Sequence, residues 1–365
     1  MMGRPTIDRL PTPPADRAGW PWAEETPPLP EKMPDGHPWP RISIVTPSFN
    51  QGQFIEETIR SVLLQGYPNL EYIIIDGGSK DGTVEIIRKY EPWLTYWVSE
   101  PDRGQSHAIN KGLARCTGEI FNWINSDDLL CPGALVAIAQ AWQRAPGSVL
   151  AAPVVNFDEK CQETLILQRN LSAKGFAFFA EAARLGMKWH QPGLFLPLPL
   201  VQAAGGVVEN LQYTMDRVLM MYVLQRADVI YFDTPVVRFR LHPESKTRNH
   251  DRLFALEAAA AMVDCPFGHS LGSKREFRKE YALTMLRTAA DPARSSPWNR
   301  LKLLLEASIT APWTTCSHIL CNPWYLRRIC EGVLQDLRSV RIPSLRPASQ
   351  NSISQPNGAP RCQDR

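Results

Sequence analysis

The sequence predicts an α/β fold: a mostly parallel sheet flanked by helices, followed by a helical C-terminal extension. Three observations predict it. From residue 41 to about 145, apolar strand-like runs alternate four times with segments of helical period; the strands are apolar throughout; and a polar or acidic loop follows each one. Strands without a polar face are buried on both sides, which is the arrangement of a parallel sheet covered by helices. Ligands in open sheets of this kind bind beyond the carboxyl ends of the strands. The four loops therefore define one candidate edge.

The first 40 residues hold 11 of the chain's 32 prolines, in runs such as PTPPAD, and lack the apolar core and cleavage site of an export signal. They are expected to form a flexible, partly polyproline arm. ISIVTP (42–47) is a β-branched run stopped by Pro47. FIEETIRSVLLQG then places Phe54, Ile55, Ile59, Val62 and Leu63 on one helical face, with Gly66 as the stop. LEYIIIDGGSKDG repeats the theme with a glycine-rich turn, and TVEIIRKY follows as a helix. TYWVSEPDRGQ, the helical SHAINKGLARC, the strand EIFNWI, the loop NSDD and the helical ALVAIAQAWQR complete the alternation.

From about 150 to 245 the pattern is less regular. APVVNFDE and ETLILQRNL read as strands, GFAFFAEAARLG as one amphipathic helix, and YTMDRVLMMYVLQRA as a helix leading to VIYFDTPVVRFRLHPESKT. Residues 248–342 read as helical, and 343–365, poor in apolar residues, as a disordered tail. The domain expectation is thus an arm (1–40), a catalytic domain (41–247), the helical extension and the tail.

Composition excludes several classes. With 365 residues and 44% hydrophobic content the chain can build a sizeable core. A formal charge of +3 is too small an excess for a dedicated nucleic-acid binder. Eight scattered cysteines without a CxxC pair suit a reducing cytoplasm, and CSHILC lacks a second ligand pair at zinc spacing. No run approaches the ~18 to 20 uncharged apolar residues that span a bilayer. The first loop, TPSFNQGQF, lacks the GxGxxG of a dinucleotide fold, and no GxxxxGK motif occurs.

What remains is a divalent-ion site for a nucleotide diphosphate. Asp127 and Asp128 end an apolar strand side by side, and their mutual repulsion calls for a positive partner. Mg²⁺ and Mn²⁺ prefer carboxylate oxygens and substrate phosphates, and bind through one or two side chains in place of a closed cage. An isolated acidic pair reads equally well as a solvated turn or a helix cap; matching loops on the same edge favour the ion.

ISIVTPSFNQGQFIEETIRSVLLQGYPNLEYIIIDGGSKDGTVEII followed by WVSEPDRGQSHAINKGLARCTGEIFNWINSDD closely resembles the start of the family 2 glycosyltransferases, bacterial non-processive type. The resemblance runs from about 41 to 135 and more loosely to about 247, and it implies the Rossmann-like GT-A fold. Carried over, it implies Pro47, Ser48 and Asn50 beside the nucleotide, Asp76 on the base with Ser79 and Asp81 in the same turn, and Asp102 and Arg103 under the nucleotide or sugar. Asp127 and Asp128 stand at the DXD-type metal motif, with Asn125 where the first acid of longer forms sits. Asp216 of YTMDRV matches the acid that serves as general base. His242 is expected as a third metal ligand or phosphate contact, with Arg240 and Lys246 neutralising the diphosphate. Trp189, His190 and Gln191 are expected to line the acceptor or sugar pocket.

The implied activity is that of an inverting, Mn²⁺- or Mg²⁺-dependent glycosyltransferase of hexosyltransferase type. It would move one sugar from a UDP-sugar donor to a glycan, polysaccharide or lipid-linked acceptor, in the cytoplasm or peripherally on the inner face of the membrane. Processive relatives carry QxxRW and membrane spans, and neither is found here. Two rivals stay open: a non-catalytic nucleotide-sugar or glycan-binding protein of the same fold, and a nucleotidyltransferase, for which no glycine- and lysine-rich triphosphate loop is found.

Overall fold

The computed structural model describes residues 4–160, 162–246, 251–263, 270–290, 297–311 and 314–316. The expected tail and the end of the helical extension lie outside these residues. The catalytic half is built on a seven-stranded sheet of β1 (Ile42–Ser48), β2 (Leu70–Asp76), β3 (Tyr96–Ser99), β4 (Ile120–Trp123), β6 (Val149–Ala151), β9 (Leu194–Pro197) and β10 (Val229–Tyr231), in the order β10-β6-β9-β4-β1-β2-β3. β1 pairs in parallel with β2 and β4, and β2 with β3. Only β9 runs antiparallel to its neighbours.

The crossovers are α1 (Ile55–Leu63), α2 (Thr83–Tyr90), α3 (Gln105–Leu113) and, between β4 and β6, α4 (Ala134–Arg144). All seven residues of β1 are buried, because helices cover both faces: Ile42 and Ile44 join the core under α1, α2 and α4, while Val45 joins the core under α3. A second sheet of four strands follows the order β5-β11-β7-β8, with β5 (Leu129–Leu130), β7 (Val154–Asp158), β8 (Glu163–Ile166) and β11 (Val237–Leu241). Its short first strand begins one residue after Asp128, so the acidic pair sits where one sheet hands the chain to the other.

The segment expected as one amphipathic helix is two, α5 (Ala173–Ala177) and α6 (Phe179–Leu185), broken at Phe178. Ser172 caps the first, and Phe178 adopts an extended backbone and stacks on Phe277 at 4.8 Å. α7 (Leu198–Ala203) and α8 (Met215–Val223) follow, then the extension: α9 (Asp251–Val263), α10 (Lys274–Ala289) and α11 (Pro297–Thr310). Met262 of α9 and Phe277 of α10 belong to the same core as α8. The extension is therefore packed against the catalytic half.

Residues 4–40 correct the expectation of a flexible arm. Leu10, Trp22, Met33 and Trp39 are buried, and the arm folds over α1. Its anchor is Arg60, fully buried in α1, whose guanidinium donates to the carbonyls of Pro11, Pro21 and Trp22 and to the Tyr90 hydroxyl. Proline density signalled the absence of regular structure, but not that four aromatic or apolar side chains bury themselves in it. Arg60→Ala would leave three buried carbonyls without a donor, and urea unfolding should register a loss of about 2–4 kcal/mol. An unchanged midpoint would mean that the arm adds nothing to the fold.

Candidate functional site

A cavity of about 1000 Å³ opens at the carboxyl ends of β1, β2 and β4. Pro47, Ser48, Asp102, Asn125, Asp127, Trp189, His190, Gln191, Asp216, His242 and Lys246 all line it. The sequence thus brings residues from the loops after β1, β3 and β4, from two later segments at 189–191 and 242–246, and from the head of α8 to one place.

The loops after β1 and β2 are stitched together. Gly77 donates its backbone N–H to the Ser48 carbonyl, and Asn50, at a left-handed φ of 51°, donates to Ser79 Oγ and accepts from the Lys80 amide. A Cβ added at Gly77 would come within 2.8 Å of Asp102 Oδ2, so a larger residue there would displace that carboxylate. Asp76 is fully buried and its carboxylate accepts from the Gly78 and Ser79 amides and from the Ser79 and Ser99 hydroxyls. It shapes the turn and does not line the cavity, contrary to its expected contact with the base. Asn50, Ser79 and Asp81 likewise support the loop without lining the cavity; Asp81 accepts from Gly52 and Thr83.

Phe49 was missed. Its ring is 60% exposed on the cavity wall between the two loops. An aromatic residue between Ser48 and Asn50, in the polar loop that follows β1, is the signal that would have found it. Ser48 Oγ and Gln51 Oε1 are buried without a hydrogen-bond partner and line the same wall.

The acidic pair divides. Asp127 faces the cavity, and its Oδ2 is 3.0 Å from His242 Nε2. Asp128 is fully buried and does not line the cavity; its two oxygens accept from the Arg240 amide at 3.0 Å and from Asn125 Nδ2 at 3.3 Å. Burial, and then Asp127 beside it, push the Asp128 carboxyl well above the ordinary carboxylate range. Asp128 is thus corrected from ligand to structural support. Arg240 is corrected with it: the guanidinium pairs with Glu57 at 2.7 Å, donates to the Asp127 carbonyl at 3.0 Å and lies over Phe54 and Phe157, behind the motif.

Among the described residues no cluster of three or more His, Cys, Asp or Glu side chains stands ready to hold a metal ion. Asp127 and His242 fit an open site instead. Two donors each ~2.1 Å from an octahedral ion and at right angles to each other are about 3 Å apart, and Mg²⁺-like ions take their remaining ligands from water and phosphate. Lys246, whose ammonium is pulled below its ordinary pKa by burial, donates to Gln105 Oε1 at 3.1 Å and to the Gln212 carbonyl at 3.2 Å, bridging the two sides of the cavity.

Asp216, which lines the same cavity, occupies the first turn of α8. Burial raises its carboxyl to about 6, against the pull of the Arg217 amide and guanidinium, with Glu257 adding to the rise. Arg217 is itself buried, lies over Phe179 at 4.4 Å, and is lowered to about 10. Other acids do not serve as well. Glu209 pairs with Arg103, and neither lines the cavity, where Arg103 was expected under the nucleotide or sugar. His190 packs on Phe239 at 4.3 Å, and burial lowers it to about 4, which keeps it neutral and a weak base. Gln191 donates to Asn122 and to the Trp123 carbonyl, and Trp189 packs edge-on to Phe176.

Residues 43–190 match the family model described as Glycosyl transferase family 2. The chain is 39% identical over 101 residues to an uncharacterised glycosyltransferase of Mycobacterium tuberculosis, covering 27% of this chain and 38% of that protein. It is also 39% identical over 92 residues to the putative teichuronic acid biosynthesis glycosyltransferase TuaG of Bacillus subtilis, covering 24% of this chain and 36% of that one. The matches span well under two thirds of these relatives. Among solved structures the fold is similar to S. aureus TarS 1-349 in complex with UDP-GlcNAc, with a TM-score of 0.57 and 13% identity over 82% of this chain and 91% of that chain.

Proposed function

Residues 43–190 belong to glycosyl transferase family 2, with the GT-A fold, and from that premise we propose that the protein is an inverting glycosyltransferase that moves one sugar from a UDP-sugar to a carbohydrate hydroxyl. The observation that carries the reading is the shared cavity: the Asp127–His242 pair and Asp216 line the same space. A nucleotide diphosphate anchored at the first leaves the transferred sugar facing the second.

Phe49 offers a face to the base, and Ser48 Oγ and Gln51 Oε1 offer unused polar atoms to the nucleoside. Asp127 and His242 would hold a divalent ion, which when bound supplies positive charge to the diphosphate leaving group. Lys246 adds a second positive charge at the cavity wall. Asp216 takes the proton of the acceptor hydroxyl as that oxygen forms its bond to the anomeric carbon and the bond to the diphosphate breaks. One displacement with one base inverts the anomeric centre. Trp189, Tyr213 and Phe254 make the acceptor side aromatic, which suits sugar rings, and similarity to TuaG, described as a putative teichuronic acid biosynthesis glycosyltransferase, agrees with a glycan or lipid-linked acceptor. Calorimetry with UDP and GDP tests the donor side. UDP should bind at least tenfold more tightly with Mn²⁺ than with EDTA, and affinity indifferent to the metal would remove the Asp127–His242 pair from its role.

A peripheral membrane location is supported by α11, where Leu305 and Ile309 are 63% and 75% exposed one turn apart beside the exposed Lys302. The full chain should float with anionic vesicles at low salt and be released by salt. Sedimentation apart from the vesicles at every salt concentration would contradict the surface contact.

A further inference from the structure

We infer that Glu257, on α9 and outside the family match, is a positioning residue for the general base: it caps α8 from another helix and thereby fixes both Asp216 and the acceptor wall. The inference rests on the reading of Asp216 as the base. Its geometry is independent of that reading.

The head of α8 lacks the usual local cap. Thr214 occupies the N-cap position, where a hydroxyl ordinarily accepts from an amide of the first turn, but here no such bond forms. Its hydroxyl donates to Glu257 Oε2 at 3.0 Å instead. The same oxygen accepts from the Tyr213 and Thr214 amides at 2.7 and 2.8 Å, and Oε1 accepts from the Gln212 amide at 2.7 Å. One carboxylate therefore receives three consecutive backbone N–H groups and a hydroxyl. A negative charge at this end of the helix also complements its dipole.

Asp216 is two residues beyond this clamp, in the first turn. Gln212, Tyr213, Met215 and Asp216 line the cavity, and Phe254, one turn before Glu257 on α9, lines it as well and packs on Tyr213 at 5.2 Å. α9 thus does two things at once: its Phe254 forms part of the acceptor wall, and its Glu257 sets the backbone from which the base projects. On the donor side Ser48, Phe49, Asp127 and His242 make none of these bonds, while Lys246 touches the clamped segment at the Gln212 carbonyl.

The test compares Glu257→Ala and Glu257→Gln with Asp216→Asn in the full chain, reading kcat, donor KM, UDP affinity with Mn²⁺ and Tm. A shift of about 1 Å in a catalytic group from a change away from the chemistry costs on the order of 10²-fold. Glu257→Ala should therefore lower kcat about 10- to 100-fold while donor KM and UDP affinity stay within about twofold. Glu257→Gln keeps the volume but sets an amide N–H₂ against a backbone N–H, so it should lose activity too, by a smaller factor. If Glu257→Gln matches wild type, the residue only fills space and the inference fails. If both variants lose UDP affinity and Tm in step with kcat, the role is general stability and the inference fails as well. If Asp216→Asn itself keeps wild-type turnover, the failure lies with the base assignment and not with the clamp.

Discussion

Asp216→Asn is expected to lower kcat by on the order of 10² or more while leaving donor affinity unchanged. Asn is the same size and keeps one acceptor oxygen, but it cannot take a proton. The carboxyl sits at about 6 because burial disfavours its charged form, with the Arg217 amide and guanidinium pulling it back and Glu257 pushing it up. The active form of a base is the deprotonated one, so kcat should fall as pH drops through about 6 and level off above it. Asn should abolish this limb. Linkage adds a second sign: a carboxyl raised in the fold makes its charged form unfavourable there, so at neutral pH Asp216 costs stability that is recovered as pH falls. Asp216→Asn should then melt at or above the wild-type Tm, the pattern of a site where function is kept at the expense of stability. Loss of Tm together with donor affinity would identify Asp216 as structural.

Asp127→Ala is expected to abolish the gain in UDP affinity that Mn²⁺ gives, and with it detectable transfer, because one imidazole cannot hold a hard cation against water. Asp128→Asn is the contrast. Its side chain keeps an oxygen for the Arg240 amide and touches no cavity space, so metal-dependent UDP binding should persist. Equal losses in the two variants would place both carboxylates on the ion and undo the division between them.

That division marks how far the sequence could be read. The order of strands, helices and polar loops was legible because fully apolar runs and helical periods are local patterns, and the four loops do converge on one edge. The helix that carries Asp216 was legible for the same reason, while the role proposed for Asp216 came from the resemblance. Which of two adjacent acids faces the cavity was not, because the pair falls in a turn where neither period applies and Arg240, 112 residues away, decides the matter by binding Asp128. Asp76 deceived similarly: a carboxylate after a strand looks like a ligand contact until the four donors around it are seen. Phe49 and Glu257 carry no motif. The arm was misread because its order comes from Arg60, whose helical surroundings give no hint of a buried guanidinium.

The most direct test of the central claim is nucleoside diphosphate release from a panel of UDP- and GDP-sugars by wild type and Asp216→Asn, each with Mn²⁺ and with EDTA. Release from at least one UDP-sugar that requires Mn²⁺, is stimulated by a carbohydrate acceptor and falls on the order of 10²-fold in Asp216→Asn is the predicted result. Metal-dependent UDP binding with no release from any donor, in the presence of glycan and lipid-linked acceptors, would contradict it and leave a nucleotide-binding protein without transferase chemistry.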